Sequence, residues 1–343
     1  MQTIVVLENI NPAKRELLRK LSATQLFSPQ RIEATRDLRV NKVKELVSFM
    51  SESSEREEAV DISRASFITA LNIISNILFS VDLGNYDPKK FNGFQDTVIS
   101  VMEAVGDPDV ANYFPFMRFL DLQGNGKKMK AGCERLFKDL FTAGTDTSSS
   151  TLEWAMTELL GSPKTMAKAQ MEIDRVIGQN GTVQESDISK LPYLQAVVKE
   201  TFRVHPPAPL LVPRKAEADA EILGFKVPKD TQVLVNVWAI GRDPSVWANP
   251  TRFEPERFLG KEIDVKGRDY ELTPFGGGRR ICPGLPLAVK TVSLMLASLL
   301  YSFDWKIPNG IVSKDLDMDE TFGLTLHKTN PLHAIPVKKR AIN

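Results

Sequence analysis

The sequence predicts a mainly α-helical fold with a small β portion. Apolar residues recur at helical spacing through most of the first half of the chain, as in helices that bury one face. From Pro206 onward prolines cluster, and the run Thr231–Trp238 has the β-branched and apolar residues of a strand. Residues 301–335 have the pattern of short strands and turns. Because no internal repeat or low-complexity linker divides the chain, residues 1–343 are expected to form one domain.

Caps, glycines and prolines delimit the predicted helices. Ser162 and Pro163 supply an N-cap and a proline at the first helical position, so a helix begins there and ends before Gly178. Loops are predicted at 107–109 and 121–126, where aspartate, proline and glycine cluster. The other predicted helices contain Leu17–Leu21, Val40–Val47, Ile62–Phe79, Met129–Leu160, a segment beginning at Leu191-Pro192 and a segment beginning at Leu285.

The composition disfavours several classes of partner and compartment. The chain holds 44 Lys and Arg against 43 Asp and Glu, so a net charge of +1 provides no field to recruit nucleic acid or an acidic membrane. Its two cysteines, Cys133 and Cys282, lie in very different settings, which disfavours a disulfide framework and favours a reducing compartment. Residues 1–11 lack a basic flank followed by an apolar core, so the chain as given is expected to be cytosolic. The apolar stretch Leu285–Tyr301 is predicted to be a buried helix, because Lys290 interrupts it.

The segment Phe275–Gly284 carries the strongest chemical signal. Consecutive glycines allow its backbone to turn sharply and to lie against a flat ligand. Cys282 stands at the entry of a helix, where the positive dipole end stabilises a thiolate, the ligand that favours O–O cleavage at haem iron. From these residues alone two other interpretations stay open: a small buried cysteine, or a glycine turn that holds a phosphate.

Two further patterns are ambiguous when taken alone. In Ala143–Ser148, small residues thin one face of a helix, and the same pattern serves for close packing between helices. Glu200 and Arg203 are three residues apart and share a helix face, which is typical also of a weak surface salt bridge.

Together these segments resemble the motifs of the cytochrome P450 family. Phe275, Gly278, Arg280, Cys282 and Gly284 match the haem-binding signature of the family at every fixed position. The resemblance implies the cytochrome P450 fold and haem b with Cys282 as its axial ligand. It also implies that Arg280 pairs with a haem propionate, that Phe275 packs near the sulfur, and that Gly276, Gly278 and Gly284 shape the loop.

The helix around Gly144 resembles the oxygen-binding helix of the same family. The resemblance implies that Thr147 and Asp146 organise water and deliver protons to dioxygen, and that Ala143 and Gly144 border the distal pocket.

A third part of the resemblance concerns charged residues. The segment 253–258 resembles the second arginine element of the family, so Glu200, Arg203 and Arg257 are expected to form a buried charge network.

The apolar segments 208–212 and 322–326 stand where the family lines its substrate pocket, although ordinary core packing fits these residues equally well. The resemblance is closest to plant microsomal enzymes that hydroxylate terpenoids, which implies a small lipophilic substrate. The pocket residues expected on this basis are Ala208, Leu210, Leu211, Val212, Phe322 and Leu324.

The resemblance also implies how the reaction is supplied. A monooxygenase of this family takes electrons from an NADPH–cytochrome reductase, and no flavin or nicotinamide fingerprint is seen in this chain. The implied location is the endoplasmic reticulum membrane, on its cytosolic face, with attachment only through an N-terminal anchor. Of the histidines, His327 and His333 are expected to be structural or solvent-facing and His205 to lie near the haem edge, since no metal-ligand spacing connects them.

Three departures from the family pattern support an alternative. No anchor, proline-rich hinge or first strands precede the helices, and only about twenty residues, read on the helical rise, separate Leu120 from Phe141, where the family inserts lid helices. Arg15 and Glu16 stand where a Trp and an Arg are usual, ahead of the retained Arg19. The alternative is a truncated, catalytically silent relative that binds haem weakly or not at all. A nucleotide-binding protein is disfavoured, because no lysine or serine follows Gly276–Gly278 at phosphate-binding spacing.

Overall fold

The computed structural model describes residues 20, 22–87, 134–178, 181–323 and 325–339. In this part of the chain helices predominate, as the sequence predicts. A π-helical turn, Ser22–Leu26, precedes the first α-helix. The α-helices are α1 (Pro29–Ala34), α2 (Arg36–Glu55), α3 (Ile62–Phe79), α4 (Glu134–Gly161), α5 (Pro163–Ile177), α6 (Pro192–Val204), α7 (Val237–Ile240) and α8 (Leu285–Ser302).

The strands are short and pair antiparallel. Three of them form a sheet in the order β1-β9-β6, and the others form three separate pairs, β2 with β5, β3 with β4 and β7 with β8. Their bounds are β1 (Val60–Asp61), β2 (Arg214–Lys215), β3 (Ala220–Ile222), β4 (Phe225–Val227), β5 (Gln232–Val233), β6 (Phe303–Lys306), β7 (Glu320–Phe322), β8 (Leu326–Lys328) and β9 (His333–Lys338).

Most helix boundaries agree with the sequence prediction, but one cap works differently. The α5 helix runs from Pro163 to Ile177 and stops before Gly178 as predicted. The Ser162 side chain makes no hydrogen bond to the α5 backbone, however, and instead lies 2.8 Å from the hydroxyl of Thr165. The predicted leucines 17, 18 and 21 and the loops 107–109 and 121–126 lie outside the described residues.

The predicted strand Thr231–Trp238 is wrong beyond Val233. After β5 the chain turns into the short helix α7, because the Asn236 side chain accepts a hydrogen bond from the backbone N–H of Ala239 and so caps that helix. Val235 N donates to Leu210 O over 3.4 Å, which ties this turn to the 208–212 segment.

The helix α4 lies at the centre of the apolar core. It packs against α3, α5, α6, α8 and β8. Trp154 on α4 is fully buried, and Leu152, Met156 and Leu159 join a large apolar cluster with residues of α2, α6 and α8. Because side chains of α4 reach several other elements, the orientation of α4 fixes most of the core.

In the part of the chain that the structure describes, two helices are long and apolar enough to cross a membrane. They are α3 and α8, and two thirds of each is buried inside the protein. A core helix of a soluble protein has the same composition, so this is weak evidence for a membrane span.

Glu153 is a buried carboxyl that joins α4 to the segment before β9. Its Oε1 atom accepts a hydrogen bond from the backbone N–H of Leu332 over 2.8 Å. Burial raises the pKa of Glu153 to about 7, and the Asp61 carboxylate adds to the rise, while the Leu332 N–H and Lys328 oppose it. The carboxyl is therefore half protonated near neutral pH.

This raised pKa predicts a pH-dependent stability. The unfolded chain releases the Glu153 proton near pH 4.5 and the folded chain near pH 7. The stabilising contribution is thus complete below pH 4.5 and is lost as the pH rises through 7. We expect unmodified protein to lose up to about 3 kcal/mol of unfolding free energy, relative to Glu153→Gln, between pH 4.5 and 8. Urea unfolding of both proteins across that range tests this, and parallel pH profiles would contradict it.

Candidate functional site

The loop that carries Cys282 is closed by its own backbone. Cys282 N donates to Phe275 O over 3.0 Å, and α8 begins three residues after the cysteine. Gly276 and Gly278 have φ angles of +71° and +66°, a region that residues with a Cβ rarely adopt, so the turn requires glycine at both positions. The loop shape therefore follows from its glycines.

A second glycine segment supports the back of this loop. A Cβ built on Gly277 would lie 3.1 Å from the carbonyl oxygen of Gly267, and one built on Gly267 would lie 2.6 Å from Gly276 O. Backbone thus packs directly on backbone here, and any side chain at these positions would separate the two segments.

The Cys282 side chain is exposed, and its loop packs on α6 through Phe275. Phe275 is half-buried and makes an edge contact with Phe202 of α6, with ring centroids 5.1 Å apart. A Cβ at Gly284 would lie 3.8 Å from the Cys282 sulfur, and a Cβ at Gly278 would meet no atom within 4 Å. The space over Gly278 in this loop is therefore open.

Two arginines flank the loop. Arg280 is about half exposed, with its Nη2 atom 3.7 Å from Oε1 of the exposed Glu217. Arg214 of β2, which the sequence analysis missed, donates from Nη2 to Gly277 O over 3.4 Å. An arginine directly after the apolar segment 208–212 was the available signal, but only the fold brings Arg214 beside the glycine turn.

These residues fit haem. An open face over a glycine turn suits a flat ring, an exposed thiol beside it can ligate the central metal, and two guanidiniums can pair with carboxylates at the ring edge. Among the described residues no group of three or more His, Cys, Asp or Glu side chains could hold a metal ion by itself.

On α4 the structure places Gly144 at a helix contact. A Cβ at Gly144 would overlap the Cδ1 atom of Ile74 on α3, so this glycine permits close approach of the two helices. Ala143, by contrast, is exposed.

The neighbouring polar residues of α4 have local and distant partners. Thr147 donates from Oγ1 to Ala143 O over 2.8 Å, one turn earlier. Asp146 accepts a hydrogen bond from the hydroxyl of Thr325, which lies between β7 and β8. Burial raises the pKa of the Asp146 carboxyl, whereas the Thr325 hydroxyl and His327 lower it.

The Gly144 contact predicts a specific loss of stability. Gly144→Ala places a methyl group against the terminal Cδ1 atom of Ile74, which must change rotamer, and since alanine itself favours a helix by up to about 1 kcal/mol we expect a net cost of about 0–2 kcal/mol. Gly161→Ala is the matched control, because its Cβ would lie 3.9 Å from the nearest atom and alanine favours a helix by up to about 1 kcal/mol. Ile74→Val, which removes the Cδ1 atom, should restore most of the loss. Urea unfolding measures all four proteins, and equal losses in the two glycine variants would contradict the assignment.

Glu200, Arg203 and Arg257 lie together in a buried network. Glu200 Oε2 and Oε1 accept from Arg203 Nε and Nη2, each over 2.7 Å, and Oε1 accepts from Arg257 Nε over 2.9 Å. The side chains of Glu200 and Arg203 have no exposure, and that of Arg257 has 7%. Glu200 is thus the counterion of Arg203 and is shared with Arg257, whose Nη2 atom also lies 3.3 Å from Oε2 of Glu254.

Backbone groups complete this network. Arg203 donates to the carbonyls of Gly241, Pro250 and Arg252, and Arg257 donates to that of Ala248. The two guanidiniums therefore hold the irregular stretch 241–252 against the end of α6.

Removing the carboxylate charge should be costly. In Glu200→Gln the fully buried Arg203 guanidinium loses its counterion and Arg257 keeps only Glu254, so we expect a loss of about 3–5 kcal/mol in unfolding free energy. Lys168→Gln breaks the exposed pair of Lys168 with Glu256 and should cost less than about 1 kcal/mol. Urea unfolding measures both. A Glu200→Gln loss as small as that of the control would show that the network contributes little.

His205, at the end of α6, lies in a cluster that the sequence analysis did not find. Its Nε2 and Nδ1 atoms lie 2.8 Å from carboxylate oxygens of Glu158 and Glu320. The imidazole stacks on Trp154, with ring centroids 3.8 Å apart. Glu320 belongs to β7, so this cluster holds the base of the β7–β8 hairpin against α4 and α6.

The two predicted pocket segments lie side by side. Leu326 N donates to Pro207 O over 2.9 Å, which joins β8 to the start of the 208–212 segment. Leu211 Cδ1 would lie 3.6 Å from a Cβ at Gly276, so that segment borders the cysteine loop. Ala208, Leu210 and Leu211 are half-buried, Val212 and Phe322 are exposed, and Leu324 lies outside the described residues.

A cavity of about 460 Å³ lies elsewhere. Its lining includes Trp247, Arg257, Lys261 and Glu271, and none of its lining residues belongs to 275–284 or 143–148. The cavity is therefore not the candidate site.

A family model described as "Cytochrome P450" matches residues 2–139 and 135–334 of the chain. The two matched segments meet at 135–139, within the stretch between Leu120 and Phe141 that the sequence predicts to be shortened.

Plant proteins resemble the chain over most of its length. "Cytochrome P450 76C2" of Arabidopsis thaliana is 71% identical over 380 aligned positions, which cover 95% of this chain and 74% of that protein. "Geraniol 8-hydroxylase" of Catharanthus roseus is 45% identical, covering 93% of this chain and 74% of that protein. "Geraniol 8-hydroxylase" of Swertia mussotii is 44% identical with the same coverage. The alignment of 380 positions exceeds the 343 residues of the chain, so the first relative holds residues that this chain lacks.

Proposed function

The chain belongs to the cytochrome P450 family, and on that premise we propose that it is a haem-thiolate monooxygenase that hydroxylates a small terpenoid-like substrate. The overall reaction is R–H + O₂ + 2 e⁻ + 2 H⁺ → R–OH + H₂O. The observation that carries the proposal is the exposed Cys282 side chain on a glycine turn flanked by Arg280 and Arg214.

The cysteine loop would hold haem b. Cys282 stands next to the first turn of α8, whose unpaired N–H groups favour a thiolate. Arg280 and Arg214 would pair with the two propionates, and Phe275 would pack near the sulfur. When bound, haem with a thiolate ligand supplies the activation of O₂.

The polar residues of α4 would manage protons. The reaction consumes two protons, and a positioned carboxyl can pass them from solvent while a hydroxyl orients the water that carries them. Asp146 and Thr147 are the residues of α4 that the family motif assigns to this task, with Ala143 and Gly144 bordering the pocket. Burial raises the pKa of the Asp146 carboxyl, which favours its protonated form relative to that of an exposed aspartate.

The substrate would be a small lipophilic terpenoid. Two relatives of the chain are geraniol 8-hydroxylases, and the segment 208–212 borders the cysteine loop. Apolar walls recognise a hydrocarbon by exclusion of water rather than by hydrogen bonds. Geraniol is therefore the first substrate to test, with the wall residues Ala208, Leu210, Leu211, Val212, Phe322 and Leu324.

Electrons would come from a separate protein. An NADPH–cytochrome reductase is the proposed donor, since the reaction needs two electrons that the chain has no recognised motif to supply. The proposed location is the endoplasmic reticulum membrane, on its cytosolic face.

A second candidate is a catalytically silent relative that binds haem weakly or not at all. The observations in its favour are that the first relative holds residues that this chain lacks and that the family model matches in two segments, which meet at 135–139. Haem binding separates the two candidates.

The proposal predicts a spectroscopic signature. Purified protein supplied with haem should bind one equivalent and, when reduced under carbon monoxide, give the red-shifted Soret band of a thiolate ligand. Cys282→Ser should abolish the band, and Cys133→Ser, outside the haem signature, should retain it. An imidazole-type band, or no haem in the unmodified protein, would exclude the proposed function and favour the silent relative.

A further inference from the structure

The β7–β8 hairpin is fastened to α4 by consecutive residues. Ser150 donates from Oγ to Leu326 O over 2.9 Å, and Thr325 donates its hydroxyl hydrogen to Asp146 Oδ2. Asp146 and Ser150 are four residues apart, so they lie on one face of α4. The hairpin thus crosses the helix at the turn that holds the carboxyl assigned to proton delivery.

The Thr325 hydroxyl is held firmly in place. Thr325 is 7% exposed, and its carbonyl accepts a hydrogen bond from Gly323 N over 3.1 Å. The next residue, Leu326, is bonded through its N–H to Pro207 O and through its carbonyl to Ser150. These contacts fix the backbone at Thr325, which keeps its hydroxyl within reach of the carboxylate.

The base of the hairpin is fixed as well. Glu320 is bonded to His205 over 2.8 Å and accepts from Trp238 Nε1 over 3.3 Å, with Arg242 Nη2 at 3.7 Å. These contacts come from α6, α7 and the turn after α7, so both ends of the hairpin are restrained. The position of Thr325 is set by the fold and not by Asp146 alone.

We propose that Thr325 is a positioning residue that orients the Asp146 carboxyl for proton delivery. The inference rests on the proposed function and assigns a role to a residue that the helix motif does not contain. Because Phe322 belongs to the same hairpin, one element carries part of the proposed pocket wall and the restraint on the proton-delivering group. Without the Thr325 hydroxyl, the carboxyl can turn toward other partners, and protons reach dioxygen by uncontrolled routes.

The expected chemical consequence is that a larger share of the electrons reduces O₂ to peroxide and a smaller share leads to hydroxylated product. In the productive reaction two electrons and two protons yield R–OH and H₂O. In the unproductive one, O₂ + 2 e⁻ + 2 H⁺ → H₂O₂ and the substrate is unchanged. Mispositioned proton delivery raises the peroxide share at the expense of product.

The test compares three variants with the unmodified protein, using geraniol, NADPH and a plant cytochrome reductase. Thr325→Val removes the hydroxyl at nearly constant shape and should raise the ratio of peroxide to product roughly threefold to tenfold, the range expected for one lost hydrogen bond of ordinary strength. Thr325→Ser should restore the ratio. Thr321→Val is the matched control, because Thr321 pairs with Thr329 across the same hairpin and is exposed.

A stability measurement tests the contact without activity. In urea unfolding of the unmodified protein, Thr325→Val, Asp146→Asn and the double variant, the midpoint shifts should be non-additive, because the two side chains share one hydrogen bond. Additive shifts would overturn the inference.

The outcomes separate the inference from the proposed function. If the unmodified protein lacks the thiolate-type Soret band, the proposed function fails and the inference falls with it. If the band is normal in all proteins, and Thr325→Val forms as little peroxide as the unmodified protein, only the inference is overturned. The same holds if Thr325→Ser fails to restore the ratio.

Discussion

The buried carboxylate of Glu200 is the interaction on which the structure around the cysteine loop depends. It pairs with Arg203 and Arg257 where little solvent reaches them, so an unpaired guanidinium there would be very unfavourable. The same guanidiniums donate hydrogen bonds to backbone carbonyls of residues 241–252, an irregular stretch that directly follows the short helix α7. This stretch has few of the backbone hydrogen bonds found in helices and sheets, so hydrogen bonds from the two charged guanidiniums hold it in place.

The C-terminal end of α6 also contacts the other parts of the candidate site. Phe202 supports Phe275 in the cysteine loop, while His205 holds Glu320 of the β7–β8 hairpin. Three parts of the protein that are distant in sequence therefore take their positions from α6: the arginine network, the cysteine loop and the β7–β8 hairpin over α4. A displacement of α6 would move all of them together.

How much of the fold the sequence could predict depended on how far apart in sequence the interacting residues are. The bounds of α3, α5 and α8 follow from apolar periodicity and from local punctuation by proline and glycine, and the structure has them as predicted. The strand at 231–238 failed beyond Val233, because the Asn236 cap was stronger than the β propensity of its neighbours. Local signals decide local structure only where no competing local signal is present.

The site shows the same division. Cys282 and the Glu200 network could be found from motifs, because their members recur at fixed spacing. Arg214 beside the glycine turn and Thr325 on Asp146 could not, since each contact joins segments more than sixty residues apart and only the fold brings them together. For Gly144 the sequence left two interpretations open, and the contact with Ile74 gives a packing reason for the glycine.

The stacking of Gly267 on Gly277 has a consequence for how a ligand could bind. Since main chain rests on main chain behind the cysteine loop, few rotatable groups take part in defining its curvature. The entropy lost in shaping the loop is thus lost while the polypeptide folds, so the loop would be preorganised for the flat cofactor proposed above.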